Sequence, residues 1–200
     1  MPKAFSEREK EIIKDRLIHK GSEIFAGFGV RKTTIDDLAA AAGISKGAFY
    51  LFYESKEDLY MEILELFEKT YRQNQLDALL KPGRSLEQGF KEMLHQAFRD
   101  WKNHPLFIKF SKEDLDHLML KLPAERMAAH FDQDEDFTAE ILTQLKKAGA
   151  DIRMDVKAVA GLMKGLFFVS IHEHDFTAGD FDQTLDIFIN LVADYVFKGK

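Results

Sequence analysis

The 200-residue chain contains no cysteine, only four prolines and a single tryptophan. Without cysteine there are no disulfide frameworks, thiolate zinc sites or cysteine nucleophiles, so nothing points to an oxidising compartment and a reducing cytoplasm is the expectation. Long apolar runs are missing as well. Leu166-Phe167-Phe168-Val169, with Ile171 just beyond, falls far short of the roughly 18 residues that a membrane span requires, and no membrane partner is expected. The opening Met1-Pro2-Lys3-Ala4-Phe5-Ser6-Glu7-Arg8 turns charged before the apolar core of a leader can develop, so no secretory signal is expected either. Period-2 alternation is rare, and the apolar residues between the sparse glycines and prolines recur at helical spacing. The expected fold is all-α, with about nine helices.

The formal net charge of -6, from 28 basic and 34 acidic residues, is unevenly distributed. Residues 1–56 sum to +2 and residues 57–200 to -8. An acidic whole can therefore carry a mildly basic head.

Local signals divide the chain further. Ile13, Leu17, Ile24, Phe25 and Phe28 make one stripe of a first helix starting near Glu7, with Gly27 and Gly29 at its end. Thr34 caps a helix from Ile35 to Ala42, with Asp36 and Asp37 complementing its positive end, and Gly43 closes it. Ser45 caps a helix over Lys46–Phe52, and Ser55 caps another with Leu59, Ile63, Phe67 and Tyr71 on its apolar side. Lys81–Ser85 reads as a loop before the face Leu86, Phe90, Leu94, Phe98 and Trp101. Pro105 and Pro123 break the middle region; three further helices are expected over Phe131–Lys147, Asp155–His172 and Phe181–Phe197.

Two short helices about a tight corner at Gly43 fit the helix-turn-helix unit, whose second helix can enter the DNA major groove. Small residues at the crossing, Ala39 to Ala42, and a polar, basic start to the second helix, Ser45-Lys46-Gly47, match its physical needs. Gly47 would admit a phosphate closely, with Ser45, Lys46 and the helix N-terminus as donors. Spacing alone leaves a plain αα-hairpin equally open.

The run Thr33-Thr34-Ile35-Asp36-Asp37-Leu38-Ala39-Ala40-Ala41-Ala42-Gly43-Ile44-Ser45-Lys46-Gly47-Ala48-Phe49-Tyr50, continued by Phe52-Tyr53-Glu54-Ser55-Lys56-Glu57-Asp58-Leu59, strongly resembles the DNA-binding signature of the TetR family of bacterial repressors. The resemblance covers about residues 10–65. It implies a homodimeric, all-α transcription regulator released from operator DNA by a small molecule, with a DNA-binding domain at 1–56 and an effector-binding and dimerisation domain at 57–200. By position it implies that Thr34 caps the supporting helix and meets a phosphate, and that Ser45, Lys46, Gly47 and Ala48 lead the recognition helix. Tyr50 and Lys56 would reach the DNA backbone, with Arg31 and Lys32 adding charge to the same edge. Leu51, Phe52 and Tyr53 depart from the common family pattern; Phe49 and Phe52 are expected in the core, and Leu51 is expected to pack.

The last helix carries the stripe Phe181, Leu185, Phe188, Val192 and Tyr195, widened by Ile187, Leu191 and Val196. The helix before it is apolar nearly all round, so a second subunit is the economical partner, against a central core helix in a monomer. The candidate dimer contacts are Val159, Leu166, Phe181, Leu185, Phe188, Val192 and Tyr195. By resemblance the two helices build a four-helix bundle with their mates and hold two recognition helices about 34 Å apart over a palindromic site. An effector pocket would then fall between Leu86 and Phe168, with Phe98, Trp101, Phe107, Phe110, Met127, Phe131, Met163 and Phe167 as candidate lining and Met119 beside them. Residues at such spacing also serve as plain core.

No cofactor is expected, and no phosphate loop or Ser-His-Asp pattern supports an enzyme. His172-Glu173-His174-Asp175 is the one metal-like cluster, but the two histidines point about 200° apart on a helix, so a solvated helix end is the stronger reading. A small helical metal-binding protein or enzyme using the histidines and carboxylates of 57–200 is the opposing alternative, and a helical protein-interaction module a third.

Overall fold

The computed structural model describes residues 5–177 and 179–199. Among them it has nine α-helices and no strand: α1 Glu7–Lys32, α2 Ile35–Ala42, α3 Lys46–Phe49, α4 Lys56–Leu79, α5 Leu86–Asn103, α6 Lys112–Lys121, α7 Ala124–Lys147, α8 Val156–Ser170 and α9 Asp180–Lys198, with a 3-10 turn at Glu173–Asp175. Among the described residues no helix is long and apolar enough to cross a membrane. The chain folds as two compact units. The first takes the chain up to Glu68 together with His104–Pro123; the second takes Lys69–Asn103 and the chain from Ala124.

In the first unit, α1 starts at a reciprocal box: the Glu9 amide donates to Ser6 Oγ and the Ser6 amide donates to Glu9 Oε2 at 2.7 Å. Ile13, Leu17, Gly21 and Phe25, four residues apart, form its buried face. The regular helix breaks where Gly29 leaves the helical conformation at φ 77°, ψ 165°; Phe28 just before it is 66% exposed, and Val30 just after it is buried. Phe25 meets Tyr60 of α4 edge-on at 5.1 Å, and Tyr60 stacks on Phe110 from the returning segment. α6, which the proline-bounded middle of the sequence did not suggest, begins where the Ser111 amide donates to Asp114 Oδ2, and it buries Leu115 and Leu118.

α2 begins at a second reciprocal box, with the Asp37 amide donating to Thr34 Oγ1 and the Thr34 hydroxyl donating back to Asp37 Oδ2 at 2.6 Å. Replacing Thr34 by alanine leaves first-turn donors without their side-chain acceptor. Thr34→Ala should lower the unfolding free energy by about 1 kcal/mol in a denaturant titration, with m unchanged.

In the second unit, Phe90, Met93 and Leu94 of α5 pack with Ile141, Leu142 and Leu145 of α7, Val159 and Leu166 of α8, and Leu185, Ile189 and Val192 of α9. α7 starts at Ala124, directly after Pro123 and two turns before Phe131, where the sequence suggested. The acidic run Asp132–Asp136 is therefore mid-helix, and Arg72 of α4 offsets part of it through Asp134 Oδ1 at 2.6 Å and the Gln133 carbonyl at 3.2 Å. α4 and α5 approach so closely that a Cβ on Gly89 would lie 2.3 Å from the Leu79 carbonyl oxygen. That neighbour is backbone and cannot rotate away. Gly89→Ala should cost about 2 kcal/mol or more, read as a lower denaturation midpoint.

Candidate nucleic-acid interface

The corner between α2 and α3 is built from backbone geometry. Gly43 adopts the left-handed conformation at φ 72°, ψ 33°; its amide donates to the Ala40 carbonyl at 3.1 Å, and the Ile44 amide donates to the Ala39 carbonyl at 2.9 Å. This paired closure satisfies carbonyls that the helix end would otherwise leave open, and only glycine adopts it at little steric cost. Arg16 of α1 donates to the Ala42 carbonyl at 3.2 Å and ties the corner to the long helix. Leu38, Ala39 and Ala42 bury the inner side of α2, and Phe49 anchors α3 with no exposed surface.

The outer side is polar and open. The Ser45 side chain accepts from the Ala48 amide at 3.1 Å, and Ser45, Lys46 and Gly47 are exposed while Ala48 is half-buried. A Cβ placed on Gly47 would meet nothing nearer than Ser45 Oγ at 4.0 Å, so backbone there can be approached closely. Tyr50 is 51% exposed. α3 ends at Phe49, shorter than the Lys46–Phe52 span read from sequence, and continues as turns in which the Leu51 amide donates to the Ala48 carbonyl. Those turns lift Leu51 to 70% exposure instead of packing it; Phe52 stays half-buried and Tyr53 is buried.

The charges fall into two groups. Lys46 donates to Asp36 Oδ2 at 2.8 Å, which raises its pKa above the ordinary lysine value, but both side chains are more than half exposed and the pair is easily exchanged for another anion. Arg31 and Lys56 are engaged by the protein. Arg31 Nε donates to Asp114 Oδ1 of α6 at 2.8 Å. The Lys56 ammonium donates to the carbonyls of Val30, Arg31 and Thr33 at 2.8, 3.0 and 2.6 Å. Thus Ser45, Lys46, Gly47 and Tyr50 share the exposed surface around α3, the Thr34 hydroxyl serves its cap, and Lys32 is exposed after the α1 break. Asp114, 83 positions from Arg31, gave no sequence signal as its partner.

The pocket candidates divide between the units. Phe107, 4% exposed, packs against Phe67, and Phe110 stacks on Tyr60, both within the first unit; Met119 is 54% exposed. In the second unit Trp101 meets Phe167 edge-on at 4.8 Å, Lys164 Nζ lies 3.3 Å from the Phe131 ring centroid, and the Thr138 hydroxyl contacts Met163 Sδ at 3.7 Å. Phe98 packs on the core, and Met127 is buried.

Five of the seven dimer candidates, Val159, Leu166, Phe181, Leu185 and Val192, are buried in the protomer's own core, which leaves them little surface to offer a second chain. Tyr195 is half-buried and Phe188 exposed. The open apolar surface on α8 and α9 is carried by Leu162, Phe168, Ile187, Phe188 and Leu191, with Gly161 and Gly165 exposed beside them. At the end of α8 the His172 ring meets Asp175 Oδ2 at 2.8 Å, and Lys102 pairs with Glu173. Among the described residues no group of three or more His, Asp or Glu is arranged to hold a metal ion.

Residues 17–63 match the model of the bacterial regulatory proteins, tetR family. Among curated proteins, the chain is similar to the HTH-type transcriptional regulator YerO of Bacillus subtilis, 33% identical over 99 residues, covering 48% of this chain and 33% of YerO. It is also similar to YhgD of the same organism, 29% identical over 101 residues, covering 50% of this chain and 52% of YhgD. The chain thus spans about a third to a half of the length of these curated relatives. Among solved structures, the Thermus thermophilus FadR, a TetR-family transcriptional repressor, has the same fold with a TM-score of 0.69 at 21% identity, over 90% of this chain and 93% of that one. The chain thus matches the tetR-family model at its helix-turn-helix corner and shares the fold of a TetR-family repressor along nearly its whole length.

Proposed function

We propose that the protein is a DNA-binding transcriptional regulator of the cytoplasm: a homodimeric repressor that sits on a palindromic operator and leaves it when a small molecule binds. The observation that carries this reading is the hydrogen-bonded corner at Gly43, after which Ser45, Lys46, Gly47 and Tyr50 are exposed while Phe49 is fully buried. Such a surface offers a hydroxyl, an ammonium, a phenol and approachable backbone to phosphates and base edges. We place the boundary between the DNA-reading part and the effector-binding and dimerising part at 1–56 and 57–200. The packing unit around the head extends further, taking in the start of α4 and the segment with α6.

Dimerisation is proposed through the face carrying Leu162, Phe168, Ile187, Phe188 and Leu191, because these large apolar side chains lie open on two adjacent helices. The exposed glycines of α8 allow close approach of a second chain. The effector reading draws support from FadR of Thermus thermophilus, whose structure holds lauroyl-CoA, and from the aromatic and methionine content of the second unit. An effector preferring one head spacing over another would shift the population by no more than its differential affinity.

Selection of bound duplexes from random DNA should return sites with dyad symmetry. On the best of them, Lys46→Ala should flatten the slope of log affinity against log salt by about 1. A slope and affinity equal to wild type in both Lys46→Ala and Tyr50→Phe would refute the DNA interface. In sedimentation at micromolar concentration the wild type should run as a dimer and Leu191→Lys as a monomer; a monomeric wild type would remove the dimer and the palindrome with it.

A further inference from the structure

We propose that Leu51 is a specificity-determining residue: its side chain reads the 5-methyl group of a thymine in each half-site of the bound DNA. This rests on the DNA-binding reading above and adds to it the base chemistry that the head recognises. A lone leucine on a protein surface is ordinary. This one stands directly after Tyr50, at the end of the turn that continues α3, and is 70% exposed beside a tyrosine that is 51% exposed. Its neighbours hold it there. The Leu51 amide donates to the Ala48 carbonyl at 3.1 Å, and the next two amides, of Phe52 and Tyr53, both donate to the Phe49 carbonyl, at 2.9 and 3.2 Å. Phe49 has no exposed surface and Tyr53 is 7% exposed, with their rings 5.8 Å apart, and the Phe52 ring lies 6.3 Å from that of Phe5. With Phe49 and Tyr53 buried two positions to either side, the backbone at 51 is fixed and the leucine is left outward. It does not fold back over the start of α3, because a Cβ placed on Gly47 would meet nothing nearer than Ser45 Oγ at 4.0 Å.

The chemistry of the side chain limits what it can recognise. Leucine has neither donor nor acceptor, so it cannot hold a phosphate as the Lys46 ammonium or the Tyr50 hydroxyl can. Against the sugar-phosphate backbone it would strip water from charged oxygens and replace none of their hydrogen bonds. Base edges in the major groove present hydrogen-bonding groups at every pair, and thymine alone adds an apolar group, the methyl on C5. An exposed leucine carried by the helix that enters the groove therefore gains from thymine and from no other base there.

The test uses the full chain and duplexes that the wild type selects from random DNA, with thymines replaced one at a time by deoxyuridine. That replacement removes the methyl and keeps every hydrogen-bonding group. At one thymine position of each half-site the wild type should lose about fourfold in affinity for each methyl removed, the loss expected for one buried methyl. Leu51→Ala should bind the thymine duplex about fourfold more weakly per half-site, should bind the deoxyuridine duplex equally well, and should keep the wild-type salt slope, in contrast to Lys46→Ala. Because the leucine is exposed, the denaturation midpoint of Leu51→Ala should match wild type. A midpoint lowered as by a core truncation would mean that the leucine packs, and overturns the proposal. Selected sites without a recurring thymine, or a deoxyuridine effect equal in wild type and Leu51→Ala at every position, overturn it too while leaving the DNA-binding reading in place. A wild type that retains no duplex overturns the DNA-binding reading and this proposal with it.

Discussion

Backbone groups left over at helix ends must find partners, and the head of this protein is organised by that requirement. Between residues 6 and 58 the chain starts or stops a helix repeatedly, and each end is closed by a specific device: Ser6 with Glu9, Thr34 with Asp37, Gly43 with two α2 carbonyls, Ser45 with the Ala48 amide, Ser55 with Asp58. Each such closure contributes on the order of 1 kcal/mol, and each fixes the direction in which the chain leaves. A unit with helices of eight and four residues has little propensity to form them unaided. Its shape is held by those ends together with the Leu38, Ala39, Ala42 and Phe49 contacts beneath.

Because caps are local, they were legible. Thr34, Gly43 and Ser45 announced their helix boundaries in the sequence, and the supporting helix falls where they placed it. What the sequence misjudged depended on contacts at long range. α6 carries a good local start at Ser111, but two prolines around it read as a broken segment. The acidic run in α7 looked like a helix beginning, whereas Arg72, 62 positions before Asp134, stabilises it within the helix. Other long-range contacts were simply invisible: nothing in the local sequence of Lys56 says that the carbonyls of residues 30, 31 and 33 converge on it.

α9 illustrates a different limit. Two apolar stripes run along it, one through Phe181, Leu185 and Val192, the other through Ile187 and Leu191. Periodicity identifies both and ranks neither, since core and interface residues share the same chemistry. The fold separates them: the first stripe fills the second unit, and the second is left on the surface. The same ambiguity attends the aromatic residues of the middle region, of which Phe107 and Phe110 complete the core of the head.

That core is stitched from two separated stretches, and the order of synthesis follows from it. When the first 68 residues have emerged, Tyr60 still lacks the Phe110 ring that stacks on it, Arg31 lacks Asp114, and Glu57 lacks His117. All of these arrive with residues 104–123. The head therefore completes its packing only after 35 residues belonging to the second unit have been made, so its folding includes the closure of a long loop. A fragment cut after Glu68 would carry the whole recognition motif and an unfinished core.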